Sequence, residues 1–114
     1  MLPHDNIRLR HMLDSALEAV KFADGKSRED LDNDRKLVLA IMKSIEIIGE
    51  AASKVSENCQ AENDKIPWRD IIGMRNRMIH GYFEVNHDIV WETVQTDIPR
   101  LIEVLSNIIP KEES

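Results

Sequence analysis

The chain has 114 residues, 42% of them hydrophobic and 32% charged, enough for one domain with one buried core. Its formal net charge of −6 excludes broad electrostatic capture of nucleic acid, so any such role must use a local basic patch. Aromatics at only 4% favour a helical core of Leu, Ile, Val and Met, and a single cysteine, Cys59, excludes an intrachain disulfide and fits a reducing compartment.

The first predicted element is a helix capped by Asp5 and running to about Ala23. Leu9, Met12, Leu13, Ala16, Leu17 and Val20 keep helical spacing in it, and Asp24-Gly25 ends it. Ser27-Arg28-Glu29-Asp30 resembles a capping arrangement for a second, longer helix reaching about Glu57. Val38, Ile41, Met42, Ile45, Ile48, Gly49, Ala52 and Val55 form its main stripe. Leu39, Ala40, Ile47 and Ala51 form an opposite one, between Lys36, Lys43 and Lys54. A helix apolar on both sides is either covered on both sides or meets a partner, so this second stripe predicts a covering segment or a subunit interface.

Residues 58–65 are polar and read as a loop. A third helix is expected from Pro67, suited to the first helical position, to Gly81, suited to the stop. Asn86 or His87 opens a fourth helical region carrying Ile89, Val90, Val94, Ile98, Leu101, Leu105 and Ile108. Pro99 interrupts it, predicting a kink, or two helices with Asp97 capping the second. The whole reads as an all-α up-and-down bundle of four to five helices, one domain over 1–114. The N-terminus carries no signal-peptide pattern and no apolar run approaches a membrane span, so a cytoplasmic protein without a membrane partner is expected.

The chemistry concentrates in Arg75-Asn76-Arg77-Met78-Ile79-His80-Gly81-Tyr82. On a continuous helix, Arg69, Gly73, Asn76, Arg77 and His80 share a polar face. Arg75 falls inside the apolar arc of Ile71, Ile72, Met74, Met78 and Ile79, breaking the pattern where function or strain is expected. Arg69, Arg75 and Arg77 are the candidate basic patch. The four histidines, His4, His11, His80 and His87, show no metal-ligand spacing, and the scattered glycines make no phosphate loop, so neither a metal nor a cofactor is expected.

Arginine and histidine suit metal-free phosphate-ester cleavage. When a 2′-hydroxyl attacks the adjacent phosphate, one group must take a proton and another must give one, as histidine can. Arginine's fixed fork of donors meets the charge on the phosphorane. Arg75 and His80 lie about 140° apart on an ideal helix. They therefore converge only if the helix distorts near Gly81 or a second copy completes the site. Asn76 is placed to orient His80 or bind a phosphate oxygen. The bland alternatives are that Arg75 pairs with Glu46 or Glu50 as a packing contact, that His80 is a helix-terminal cation, and that Tyr82 and Phe83 anchor a turn.

The Arg-Asn, three residues, His, one residue, Tyr pattern resembles the signature of the HEPN ribonucleases, and specifically the HepT-like toxins. The resemblance extends to Ile45-Glu46-Ile47-Ile48-Gly49-Glu50-Ala51-Ala52, to Ile66-Pro67-Trp68-Arg69-Asp70-Ile71-Ile72-Gly73-Met74 and to Asp88-Ile89-Val90-Trp91, so it covers nearly the whole chain. It implies a helical homodimer with a composite active site at its two-fold axis and metal-independent endoribonuclease activity. By the same resemblance Arg75 and His80 are the catalytic pair, Asn76 the accompanying polar residue and Tyr82 the acceptor of AMP. The implied partner is a minimal nucleotidyltransferase antitoxin, the two forming a type II/VII-like toxin–antitoxin pair. The alternative reading is a non-catalytic helical subunit that binds nucleotide or presents substrate to a nucleotidyltransferase.

Overall fold

The computed structural model of the chain describes residues 2–79 and 84–110, and it is helical nearly throughout them. The all-α expectation holds: the ladder between Ile79 and Val85 is a single isolated bridge, and no named strand occurs among the described residues. Among those residues, no helix is long and apolar enough to cross a membrane.

Helix α1 spans Pro3–Ala23 and begins earlier than expected, with Leu2 at the N-cap and Pro3 supplying the fixed φ of the first turn. Asp5 is therefore not a cap. It is buried, and its carboxylate accepts from the Ser56 backbone N–H at 2.8 Å and the Ser56 hydroxyl at 2.7 Å. The Ser56 hydroxyl in turn accepts from the Cys59 N–H at 3.2 Å, capping a helix where a loop was expected: α4, Glu57–Glu62. The polar composition of 58–65 concealed that helix because its stability comes from this cap and from the burial of Cys59, not from an apolar stripe.

The expected long second helix is divided. A short α2, Asp30–Asn33, ends at Asp34, whose backbone is extended and whose side chain accepts from the Leu37 N–H at 3.1 Å. One residue thus terminates α2 and caps α3, Arg35–Ser53, since an aspartate prefers a cap to a helix interior. The third helix is also divided. Pro67 sits one place before α5, Trp68–Ile72, and Gly73 separates α5 from α6, Met74–Met78. Trp68 fixes this entry by donating its indole N–H to the carbonyls of Gln60 and Asn63, both at 3.1 Å.

After α6 the chain turns extended at Ile79, pairs with Val85 and donates the Asn86 N–H to the Met78 carbonyl at 2.6 Å. Helical spacing therefore stops before His80, and the expected stop at Gly81 lies outside the described residues. Asn86 caps α7, His87–Glu92, through the Ile89 N–H at 3.1 Å, as its position suggested. The last helical region is divided into two α-helices, as the proline suggested, but the division lies ahead of Pro99. A π turn at Thr93–Asp97 leads into α8, Ile98–Ile108, with the Ile98 N–H reaching back to the Thr93 carbonyl. Widening the turn just before the proline accommodates its missing N–H and its ring, so Asp97 makes no side-chain cap.

The core joins Leu9, Met12, Ala16 and Ala19 of α1 to Ile41, Ile45, Ile48 and Ala52 of α3 and to Ile98, Leu101 and Leu105 of α8. Met74 and Met78 of α6 enter the same core, fully buried. Each large aliphatic side chain so buried contributes about 1.5–3 kcal/mol. A close backbone approach occurs at Gly49 of α3: a Cβ there would lie 3.2 Å from the Ile72 carbonyl oxygen and 3.3 Å from that of Ile71. Glycine at this position lets α3 rest directly on the end of α5. Leu39 and Ile47, part of the second stripe of α3, are exposed at 50% and 37%, so the described residues leave them uncovered, whereas Ala51 is buried.

This packing sets two expected outcomes. Gly49→Val places side-chain carbons against fixed carbonyls, and overpacking of this kind costs about 1–3 kcal/mol, read as a lower urea midpoint with unchanged slope. Asp5→Ala leaves the part-buried Ser56 N–H without its partner, at about 1–3 kcal/mol at neutral pH. The Ser56 backbone N–H holds the Asp5 carboxyl below its ordinary value, against the opposing effect of burial. That stabilisation is therefore present above the ordinary carboxylate range and lost as pH falls through the lowered folded value. The urea-midpoint gap between wild type and Asp5→Ala is expected to close on acidification; a gap independent of pH would contradict the assignment.

Candidate active site

Gly49 sets where the residues of the motif lie. With α3 seated on Ile71 and Ile72, the position one turn earlier on α3 is Glu46 and the position one turn later along α5–α6 is Arg75. Glu46 Oε2 lies 3.9 Å from Arg75 Nε, and each side chain is about half exposed, at 50% and 48%. Glu46 also lies 3.7 Å from Lys43 Nζ. Of the two pairings the sequence offered for Arg75, the one with Glu46 is formed, while Glu50 pairs instead with Lys54 at 3.2 Å. An exposed pair this long contributes about 0–1 kcal/mol, so packing does not explain an arginine at this point.

The break at Gly73 resolves the irregularity of Arg75. On one continuous helix it would fall in the apolar arc. With α5 and α6 separate, Met74 and Met78 go to the core and Arg75 goes to solvent. Arg75 and Asn76 line a hollow of about 190 Å³, facing Glu46, Gly49 and Glu50 of α3. A second hollow of about 150 Å³ shares Glu46 and Glu50 with the first and adds Arg8 and His11 of α1 and Lys43. Arg8, His11 and Lys43 belong to no sequence motif. Only the packing of α1 on α3 brings them beside Glu46, so sequence reasoning did not find them.

The three arginines proposed as a basic patch do not share one cavity. Arg75 lines the hollow against α3. Arg77 lines a larger groove of about 470 Å³ between α5–α6 and α8, with Lys65 and Arg100 on the same walls and Asp70, Asp97 and Glu103 balancing them. Arg69 is exposed on α5 and lines neither. His80 and Tyr82 lie outside the described residues.

The chain on the far side of the motif is anchored by a polar network that the sequence did not reveal. Arg28 donates from Nε to Asp88 Oδ1 at 2.6 Å and from Nη1 to Asp32 Oδ1 at 3.0 Å, and His87 Nδ1 lies 2.8 Å from the same Asp32 oxygen. The His87 contact, then Arg28, holds the Asp32 carboxyl below its ordinary value. This network ties α7 to α2, and with the Ile79–Val85 bridge it brackets residues 80–83 from both sides. Cys59 is no candidate nucleophile: burial pushes its thiol up, which disfavours the thiolate.

Residues 12–108 match the family model described as ribonuclease HepT-like. A candidate RNase of Caldanaerobacter subterraneus subsp. tengcongensis is 38% identical over 105 residues, which cover 92% of this chain and 94% of that protein. A candidate ribonuclease HepT of Thermococcus cleftensis is 36% identical over 93 residues, covering 78% and 84%. A candidate RNase of Methanocaldococcus jannaschii is 28% identical over 93 residues, covering 82% and 85%. No solved structure gives a significant match. The chain belongs to the HepT-like ribonuclease family.

Proposed function

We propose that this member of the HepT-like ribonucleases is a metal-independent RNA endonuclease whose cleavage is carried by Arg75 and His80. The observation that carries the reading is the setting of Arg75. Its guanidinium stands half exposed at a hollow it shares with Asn76. Among the described residues its ion-pair contact is through Nε and is long, which leaves both Nη groups to fork onto a phosphate. In the reaction the 2′-oxygen attacks phosphorus, the bond to the 5′-oxygen breaks, and the products are a 2′,3′-cyclic phosphate and a 5′-hydroxyl. His80 moves the proton, and Arg75 meets the charge gathering on the phosphorane. Asn76 orients these groups or binds a phosphate oxygen, and Arg69 and Arg77 contact RNA further out.

The same reading makes the working unit a homodimer with the cleft at its two-fold axis. Leu39 and Ile47 are exposed on the face of α3 that also carries Lys43 and Glu46, so an apolar patch adjoins the Arg75 hollow. Pairing two copies there would cover it and double the local basic charge of a chain with net charge −6. The sequence-based case for a dimer also used an ideal helix running through His80. Because α6 ends at Met78, that angular argument no longer applies, and the exposed stripe now supports the dimer alone.

In this reading the protein is the toxin half of a toxin–antitoxin pair. A minimal nucleotidyltransferase antitoxin silences it by transferring AMP to Tyr82, which sits two residues beyond His80. A bulky anion there would occupy the phosphate site and repel RNA.

Arg75→Ala and His80→Ala are each expected to lower RNA cleavage by about a hundredfold or more while circular dichroism stays native, since Arg75 contributes little to stability. Chelator should leave wild-type cleavage intact, and the active protein should sediment as a dimer. EDTA-sensitive cleavage, or both variants cleaving at the wild-type rate, would refute the mechanism. Co-expression with a nucleotidyltransferase is expected to add the mass of AMP and abolish cleavage, and Tyr82→Phe should escape both. An adduct retained in Tyr82→Phe, or full activity after modification, would rule out the switch.

A further inference from the structure

We infer that Glu46 is a positioning residue for Arg75, an inference that rests on the proposed endonuclease reading and names a further residue for that site. Three observations converge on it. First, Glu46 is an ion-pair partner of Arg75, and it reaches the guanidinium through Nε. A carboxylate taking both Nη groups would occupy the fork that phosphate needs. One 3.9 Å from Nε, beyond hydrogen-bond distance, draws that edge of the guanidinium towards α3 by charge alone and leaves the fork unoccupied.

Second, the contact is geometrically imposed. Glu46 belongs to the nineteen-residue α3, one turn before the glycine that touches the Ile71 and Ile72 carbonyls. The distance between the Glu46 and Arg75 backbones is therefore set by a backbone contact rather than by side-chain choice. Third, the pair is weak. It is long and half exposed on both sides, so it contributes little to folding, which leaves orientation of Arg75 as its physical consequence.

Glu46 has an electrostatic cost that makes the inference testable. It lies on the rim shared by the two hollows, among Arg8, His11, Lys43 and Arg75. A carboxylate there repels an incoming phosphate while holding the arginine that must grip it. Removing its charge should therefore ease RNA binding and impair the chemical step, moving KM and kcat in a way that general loss of structure does not. Positioning of this kind acts on the transition state, where a small misplacement of the donor is costly.

The test is steady-state cleavage by wild type, Glu46→Gln, Arg75→Ala, Arg75→Lys and the Glu46→Gln/Arg75→Lys pair, with thermal unfolding alongside. Glu46→Gln is expected to lower kcat by about two- to fivefold, the most that a pair worth about 0–1 kcal/mol can impose on the orientation of Arg75. It should also lower KM by about two- to fivefold, the size of one exposed charge interaction, with an unchanged melting temperature. Lysine has no planar Nη fork to orient, so adding Glu46→Gln to Arg75→Lys should lower kcat no further. Full kcat in Glu46→Gln, with Arg75→Ala inactive, would overturn the positioning role and leave the endonuclease reading standing. A fall in kcat matched by a fall in folded fraction would also overturn it. Wild-type activity in Arg75→Ala, or no cleavage by the wild type, would instead remove the catalytic reading itself, and the role of Glu46 with it.

Discussion

The contact on which this structure depends is the one between Gly49 and the carbonyls of Ile71 and Ile72. Helices normally meet through side chains, at interaxial distances of about 8–10 Å. Here a backbone rests against the last turn of another helix, because the residue between them has no side chain. That approach holds α5 at a fixed height on α3. The helix is interrupted at Gly73, and α6 delivers Met74 and Met78 to the core and Arg75 to the surface. Without the close approach, Glu46 and Arg75 would not be neighbours.

The electrostatic problem arises from composition. A chain with net charge −6 that handles RNA must arrange its cations locally. The fold does so around α3, where Arg8, Lys43 and Arg75 come from three different elements, and it places Glu46 among them. The Arg77 groove is different in kind. Its three cations are balanced by three carboxylates over an apolar floor, so it offers no net attraction for a polyanion. Splitting Arg75 from Arg77 in this way gives two residues that are nearly adjacent in sequence separate surroundings.

The segment that carries His80 is approached from both sides by defined contacts. Upstream, Ile79 pairs with Val85 and the Met78 carbonyl accepts from Asn86. Downstream, His87 and Asp88 are held to α2 and its preceding turn through Asp32 and Arg28. These polar contacts lie at the surface and contribute modestly to stability. Their effect is to define where the chain leaves α6 and where it enters α7.

Helix content, the core stripes of α3 and α8, the Asn86 cap and the family itself were legible in the sequence, because local periodicity and short motifs report local geometry; the stripe of α1 was legible in part, since Leu17 is exposed and Ala19 and Ala23 are buried instead. Arg75 was legible as an exception, a charge in an apolar arc. Its explanation was not, because the arc assumed one helix and the chain makes two. The same limit hid the division at Asp34, the helix at Glu57–Glu62 and the π turn ahead of Pro99. Several of these features are decided by a partner away in sequence or by a hydrogen bond that composition does not encode: Asp5 with Ser56, Trp68 with Gln60 and Asn63, Gly49 with Ile71 and Ile72. The sequence by itself determined which residues could do chemistry. Only the tertiary structure decided which of them stand together, because the Glu46–Arg75 contact exists only once a glycine on one helix has let the backbone of another come within reach.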